Sequence, residues 1–264
     1  MSLTDLDFSL NFVWIQATRL KLPCELDGPI CPIPSALMAN VEDIADKNPT
    51  VPVSVWVDIY GIGNHPDRVI DCIQHGVSAP NIVIKPLDGI PAYTVNPLFE
   101  KKSVSLSNTF DPLWQQVDLA RLYVLRHCLV EEEPTAAIYS DMDRDLTTER
   151  HFETCALLNA LDTLEDQGIV VGKEWGISNP ENQFIGVSKS SLSFLTDTLI
   201  PRTAESIHQG KNGWEGHVMA LKLHPSRSIF QPIPTIDPNK DIKRAYISED
   251  DARRRSASEL RVAV

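Results

Sequence analysis

Runs of β-forming residues alternate with stretches of helical apolar spacing over most of the chain, and this alternation constrains the fold more than any other feature. Phe8 to Gln16 (FSLNFVWIQ) reads as a first strand. Ser35 can cap a helix whose apolar positions are Leu37, Met38, Val41, Ile44 and Ala45, and Asn48-Pro49 stops it. Val51 to Tyr60 is a second strand, and a helix opening at Asn64 or at His65-Pro66 runs through His75 to Gly76. Asn81 to Lys85 is a third strand, followed by a polar, Pro-broken loop from Pro86 to Asp111. Leu113 to Val130 has helical periodicity, Thr135 to Tyr139 is a short buried strand, and Glu149 to Gln167 is a helix capped by Gly168. Ile169 to Val171 and Phe184 to Val187 are strands, and Ser191 to His208 is a helix interrupted at Pro201. Such an order predicts an α/β fold with a mixed, mostly parallel sheet flanked by helices. No internal repeat or long linker divides it. Residues 1–230 are expected to form one domain, and 231–264 a Pro-rich, then charged extension, either a surface helix or disordered.

Charge and cysteine usage narrow the function classes. With 24 Lys+Arg against 36 Asp+Glu the formal net charge is −12, which repels nucleic-acid backbones and anionic lipid. No apolar run reaches the roughly 18 residues needed to span a bilayer, so no transmembrane segment is expected. Met1 to Leu10 has no basic region and carries Asp5 and Asp7, unlike a secretory signal peptide. The five cysteines are scattered without a CxxC pair, which suits reduced thiols. The expected location is the cytoplasm of the producing cell, or another cell's cytosol after translocation without a cleavable signal.

In open α/β sheets ligands sit beyond the carboxyl ends of strands. Three such ends stand out: Trp14-Ile15-Gln16, Asp58, and Ser140 to Asp145. The last is the densest chemical signal, Ile138-Tyr139-Ser140-Asp141-Met142-Asp143-Arg144-Asp145. Alternate residues of extended chain point the same way, so Asp141 and Asp143 can face one site. Two neighbouring carboxylates repel unless a cation lies between them, and hard divalent metals share such oxygens with substrate phosphates. A solvated acidic turn has the same residues. An EF-hand loop counted from Asp141 would need Gly and Glu where Leu146 and Phe152 stand. A phosphoaspartyl phosphatase also begins with D-x-D after a strand, but that motif opens its fold and is followed by Thr or Val, where Asp145 stands here. Asp118 and Arg121 lie three apart on the preceding helix, so they share a face. They can bind sugar hydroxyls or form an ordinary surface ion pair.

Taken in order, these segments resemble the bacterial DXD-containing glycosyltransferases of the sugar-binding-region family, which includes the catalytic domains of the clostridial glucosylating toxins. The matching pieces are Phe12-Val13-Trp14-Ile15-Gln16, Asn48-Pro49 to Trp56-Val57-Asp58, Val117-Asp118-Leu119-Ala120-Arg121, Ala136-Ala137-Ile138-Tyr139-Ser140-Asp141-Met142-Asp143, and Pro180-Glu181-Asn182-Gln183-Phe184-Ile185. The resemblance implies a GT-A-like nucleotide-diphospho-sugar transferase fold. It also implies retaining, metal-dependent transfer of a sugar from a nucleotide-sugar donor, UDP-linked by preference, to a protein or glycan acceptor. Position by position, it implies that Trp14 stacks on the donor base, with Ile15 and Gln16 beside it. Asp118 and Arg121 would hold the sugar. Asp141 would contact ribose or sugar and, with Asp143, the metal (manganese, or magnesium). Ser140 and Asn182 would complete the donor site. Catalytic roles fall to Asp118, Arg121, Asp141 and Asp143, and an effector-type enzyme is one expectation.

The chain departs from the family pattern. Ala136-Ala137 replaces Gly-Gly, Val117 replaces a Ser, and no clear segment closes over the donor. In Asn212-Gly213-Trp214-Glu215-Gly216-His217, Trp214 reads as a lid aromatic or a core residue, and His217 as a last metal ligand or a surface residue. Two alternatives stay open: a GT-A-like binding module without catalysis, and a metal-dependent phosphohydrolase.

Overall fold

The computed structural model describes residues 7–15, 33–58, 66–95, 112–144, 146, 156–173, 180–211, 213–224 and 229–232. Seven strands form one sheet: β1 (Phe8–Ile15), β2 (Val53–Asp58), β3 (Ile82–Pro86), β4 (Ala136–Ser140), β5 (Ile169–Lys173), β6 (Pro180–Ser188) and β7 (Phe230–Pro232), in the order β3-β2-β1-β4-β6-β5-β7. β3, β2, β1 and β4 are mutually parallel. β6 runs antiparallel to both β4 and β5, and β7 pairs parallel to β5. The expected mixed, mostly parallel sheet is therefore present.

The helices are α1 (Ser35–Lys47), α2 (Pro66–Gly76), α3 (Pro91–Thr94), α4 (Pro112–His127), α5 (Ala156–Gln167), α6 (Leu192–Phe194), α7 (Ile200–His208) and α8 (Gly213–Leu221). They cover both faces of the sheet. Along β1, Phe8, Leu10 and Phe12 join the core under α1, α2 and α5, while Val13 and Ile15 join the core under α4, α7 and α8. Each fully buried large apolar side chain contributes about 1.5–3 kcal/mol, so this two-sided burial holds β1 at the centre of the sheet. β1 and β2 are both buried along nearly their whole length, so the polar Ser9, Asn11, Ser54 and Asp58 are buried with the apolar residues beside them.

Several elements differ from expectation for identifiable reasons. The stretch after β3 contains a 3₁₀ turn, Leu87–Gly89, and α3, whose Pro91 suits a first helical position. Pro201 does not interrupt its helix. A π-turn, Leu195–Leu199, leads directly into α7, and the widened turn tolerates a residue without an N–H. A second π-turn, Cys128–Glu132, ends α4 on Glu133 at φ +62°. α8 and β7 have no counterpart in the sequence reading, and β7 straddles the expected domain boundary at 230. Gly168 caps α5 at φ +72°, where a side chain would also meet the Ser190 and Ser191 hydroxyls. Gln16, the expected helix start at Glu149 and the tail beyond Pro232 lie outside the described residues.

Candidate active site

β4 delivers its acidic segment to the carboxyl edge of the sheet, and the turn that follows is held from several sides. The Asp141 N–H donates to the Gln183 carbonyl at 2.8 Å, and the Arg144 N–H closes back on the Asp141 carbonyl at 3.2 Å. Met142 is buried in the core under α1. From α1, the Asn40 Nδ2 donates to the carbonyls of Met142 at 2.8 Å and Arg144 at 3.0 Å. Ser140 is fully buried, its hydroxyl donating to the Asp141 carbonyl at 3.1 Å, so it shapes the turn from within. The carboxylates of Asp141 and Asp143 remain 27% and 25% exposed.

α4 lies across the face of the sheet beside this turn. Asp118 and Arg121 sit one helical turn apart and are buried, at 5% and 2% exposure, so the ordinary surface ion pair is excluded. Arg121 Nη2 lies 3.3 Å from Asp118 Oδ1. Its Nε donates to the Val117 carbonyl at 3.2 Å and its Nη1 to the Asn182 carbonyl. Nη1 also lies 4.0 Å from Asp141 Oδ1, and the guanidinium stacks 4.9 Å from the Tyr139 ring centre. Only a planar, multiply donating cation fits such a junction. Asn182 donates from Nδ2 to Asp118 Oδ1 at 2.7 Å, and the Tyr139 hydroxyl donates to Asp141 Oδ1. Asp118, Arg121, Asp141 and Asn182 thus form one contiguous cluster, drawn from α4, β6 and the turn after β4.

α8 closes the cluster from above. The Trp214 N–H donates to the Asp118 carboxylate, and a Cβ on Gly213 would lie 2.6 Å from the Asp118 Cβ. His217, one turn further, is 1% exposed and so not a surface residue. Neither of its ring nitrogens has a hydrogen-bond partner. It lines a small pocket with Asn182, Ile185, Leu199 and Trp214, with room for about one water molecule.

Burial and charge set the protonation preferences. Burial pushes the Asp118 carboxyl up, Arg121 opposes this, and the Asp141 charge adds to it. Asp141 is raised by partial burial and then by Asp143, again opposed by Arg121. Burial and the Arg121 charge lower His217 to about 3, so it is neutral and does not compete with Arg121 for the Asp118 carboxylate.

The two acids of the turn suit a hard divalent cation. Both offer carboxylate oxygens, both are partly exposed, and their mutual repulsion is what a cation relieves. Among the described residues no third acid, imidazole or thiolate joins them as a ligand group.

At the other side of the edge, Trp14 packs half-buried against the core under α1, while Ile15 is buried on the α4 face. Ile15 pairs in register with Asp58, whose carboxylate accepts the Tyr93 hydroxyl at 3.2 Å. Trp14 and the Asp118–Arg121 pair therefore reach the same sheet edge from opposite faces. Asn40 and Tyr139 were not singled out by the sequence, although Tyr139 lies within a motif segment; His217 was, as a metal ligand or a surface residue, and it is instead a buried residue of α8.

No protein-family model matches the sequence, and no curated protein matches it. Among solved structures, the glycosyltransferase PaToxG superposes with a TM-score of 0.50 at 16% identity, over 82% of this chain and 69% of that one. The fold is GT-A-like. Mouse xyloside xylosyltransferase 1 matches at a TM-score of 0.44 and 10% identity, over 88% of this chain and 86% of that one. In the GT-A-like frame, the cluster occupies the carboxyl edge of the parallel strands, where such sheets bind ligands. No helix among the described residues is long and apolar enough to cross a membrane.

Proposed function

We propose that the chain is a metal-dependent glycosyltransferase that moves a sugar from a nucleotide-diphosphate donor, UDP-linked by preference, to a protein or glycan acceptor. The observation that carries this reading is Arg121. One guanidinium ties the buried Asp118 to the part-exposed Asp141 at the strand edge, in a GT-A-like fold. A surface ion pair or a solvated acidic turn has no reason to be built this way.

Breaking the bond between the anomeric carbon and phosphate puts negative charge on the departing diphosphate and positive charge on the sugar ring. A manganese or magnesium ion held by Asp143 and Asp141 would supply charge neutralisation to the diphosphate. Trp14 would present its indole to the base, with Ile15 and Gln16 beside it. Asp118 and Asn182 orient sugar hydroxyls, and Asp118 and Asp141 offset the positive ring. Arg121 opposes the upward push of burial on both carboxyls. Retaining transfer on the front face, without a covalent intermediate, is what the resemblance implies for this site.

The burial of Asp118 and Arg121 favours a second reading, a binding module that holds the donor without turnover. Thermal unfolding with UDP-glucose, UDP-N-acetylglucosamine or GDP-mannose, with and without manganese, tests donor binding. Donor hydrolysis by the same samples separates the two readings. Metal-dependent stabilisation with hydrolysis that Asp143→Asn abolishes supports the transferase. Wild-type hydrolysis in both Asp141→Asn and Asp143→Asn would sink the site assignment. Cleavage of a general phosphomonoester without preference for nucleotide sugars would point to a phosphohydrolase.

A further inference from the structure

We infer that Asn40 of α1 is a positioning residue for Asp143, holding the acidic turn in a preformed shape ready for a cation and a diphosphate. The inference deepens the proposed function and rests on that reading for its cation.

Asn40 comes from a helix about a hundred residues away in the chain, yet its amide nitrogen bonds both carbonyls that flank Asp143: Met142 at 2.8 Å and Arg144 at 3.0 Å. A carboxamide nitrogen has two hydrogens, and both are used. The turn belongs to neither helix nor strand, Arg144 alone taking part in an isolated bridge, and Asn40 is the side chain that bonds both carbonyls. Asn40 itself lies at the rim of the α1 core face, beside the buried Leu37, Val41 and Ile44, so its backbone is fixed by packing. The remaining ties stabilise the same shape. The Asp141 N–H is held by Gln183, the Arg144 N–H by Asp141, and the Met142 side chain by the core. The Asp143 carboxylate is part-exposed like that of Asp141 and close enough to raise it electrostatically. Its other charged neighbour is Arg144, with Nε at 3.8 Å, too far for a hydrogen bond. Rotating the turn would therefore move Asp143 first, and Asn40 is what resists that rotation. Its chemistry is specific. An Asp at this position has the same shape but offers no donor and places a third negative charge beside the pair.

The test compares the full-length wild type with Asn40→Ala, Asn40→Asp and Glu42→Ala. Glu42 lies on the same helix but binds Ser78, away from the turn. Manganese affinity is read by electron paramagnetic resonance, with the metal alone and with UDP. Outer partners of metal ligands commonly change metal affinity by about 10- to 100-fold. We expect at least about tenfold weaker manganese binding in both Asn40 variants, larger in Asn40→Asp, and wild-type binding in Glu42→Ala. Wild-type manganese affinity in Asn40→Ala overturns the inference, even if its melting temperature falls. Hydrogen exchange without metal gives a second readout. The Asp141 and Arg144 amides, which donate to the Gln183 and Asp141 carbonyls, should exchange about tenfold faster in Asn40→Ala, with β1 unchanged; equal exchange in the turn overturns the inference. If the wild type binds neither manganese nor a nucleotide sugar, the proposed function fails while the exchange data still decide the role of Asn40. Should either Asn40 variant fail to fold, protection of the turn amides in the wild type decides: exchange at the unprotected rate overturns the inference.

Discussion

Two polar clusters lie buried under α4, one near each end of the helix, and they are built on opposite principles. Near its C-terminal end, Asn11 of β1 donates to the Ser9 hydroxyl at 3.0 Å and the Ile138 carbonyl at 3.3 Å. Its Oδ1 accepts the Trp56 indole N–H at 3.1 Å and the Cys128 thiol at 3.2 Å. That cluster is neutral and its side chains are paired. Toward the N-terminal end lies the charged cluster of Asp118, Arg121, Asp141 and Asn182. The buried side-chain atoms without a partner among the described residues belong to Arg144, Gln183 and His217, and all three surround it. A buried polar group normally finds a partner, so such atoms mark a place where folding alone did not decide the residues. The neutral cluster reads as a device for fixing β1 against β2, β4 and the end of α4. The charged one reads as a site whose cost is carried by the rest of the fold.

Arg121→Met should break the contrast most. It leaves Asp118 and Asp141 without their cation, and losing one member of a buried charge pair costs about 3–5 kcal/mol. Urea unfolding measures this; a loss below about 1 kcal/mol would show that the cluster is solvated and loose. Asn11→Ala should cost less, about 2 kcal/mol, because it strands the Trp56 N–H without stranding a charge. It should leave metal-dependent donor stabilisation in place. If the two variants lost equal stability and both lost donor binding, the division into structural and functional clusters would fail.

The same contrast explains what could be seen in the sequence. β1, β2 and β3 are legible because each is dense in β-forming apolar residues, broken in β1 and β2 only by single polar residues, and the helices between them keep their spacing. The Asp118–Arg121 pair is legible as three-apart spacing. Its burial is not, because α8 is what covers it. α8 has Gly213 and Gly216 in its first two turns, residues that read as loop. They are there for close approach: a Cβ at Gly216 would lie 2.5 Å from the Arg202 carbonyl oxygen. The antiparallel direction of β6 is invisible as well, since direction depends on pairing and not on composition. Asn40 gave no signal, because a polar residue at the rim of a helix looks solvated until its partner is known.

His217 offers a smaller, pH-dependent probe. Its pKa is lowered from 6.5 to about 3 by burial and by Arg121. The unfolded chain therefore binds a proton between those values that the folded chain refuses. Stability from this residue is present above pH 6.5 and is lost as pH falls towards 3, at about 1.4 kcal/mol per pH unit. His217→Met should flatten the decline in melting temperature between pH 6.5 and 5. An unchanged slope would mean that the imidazole is solvated in the native state.

Cys128→Ala should give the smallest effect, and the reason lies in the neutral cluster's geometry. The Cys128 thiol and the Trp56 indole both donate to Asn11 Oδ1, which has two lone pairs. Removing the thiol leaves that oxygen still bonded to Trp56, so no buried polar group is orphaned. What remains is the loss of one buried sulfur and a weak donor, about 1 kcal/mol or less. The thiol is a poor nucleophile, since burial and then Glu132 push its pKa up to about 12. Iodoacetamide should therefore label Cys72 well before Cys128 in the native protein, Cys72 being only half-buried. A loss above about 3 kcal/mol in Cys128→Ala would mean that the C-terminal end of α4 is held by the thiol, whereas rapid native labelling of Cys128 would mean that this end opens to solvent. Asn11 would then not be the hub of the neutral cluster.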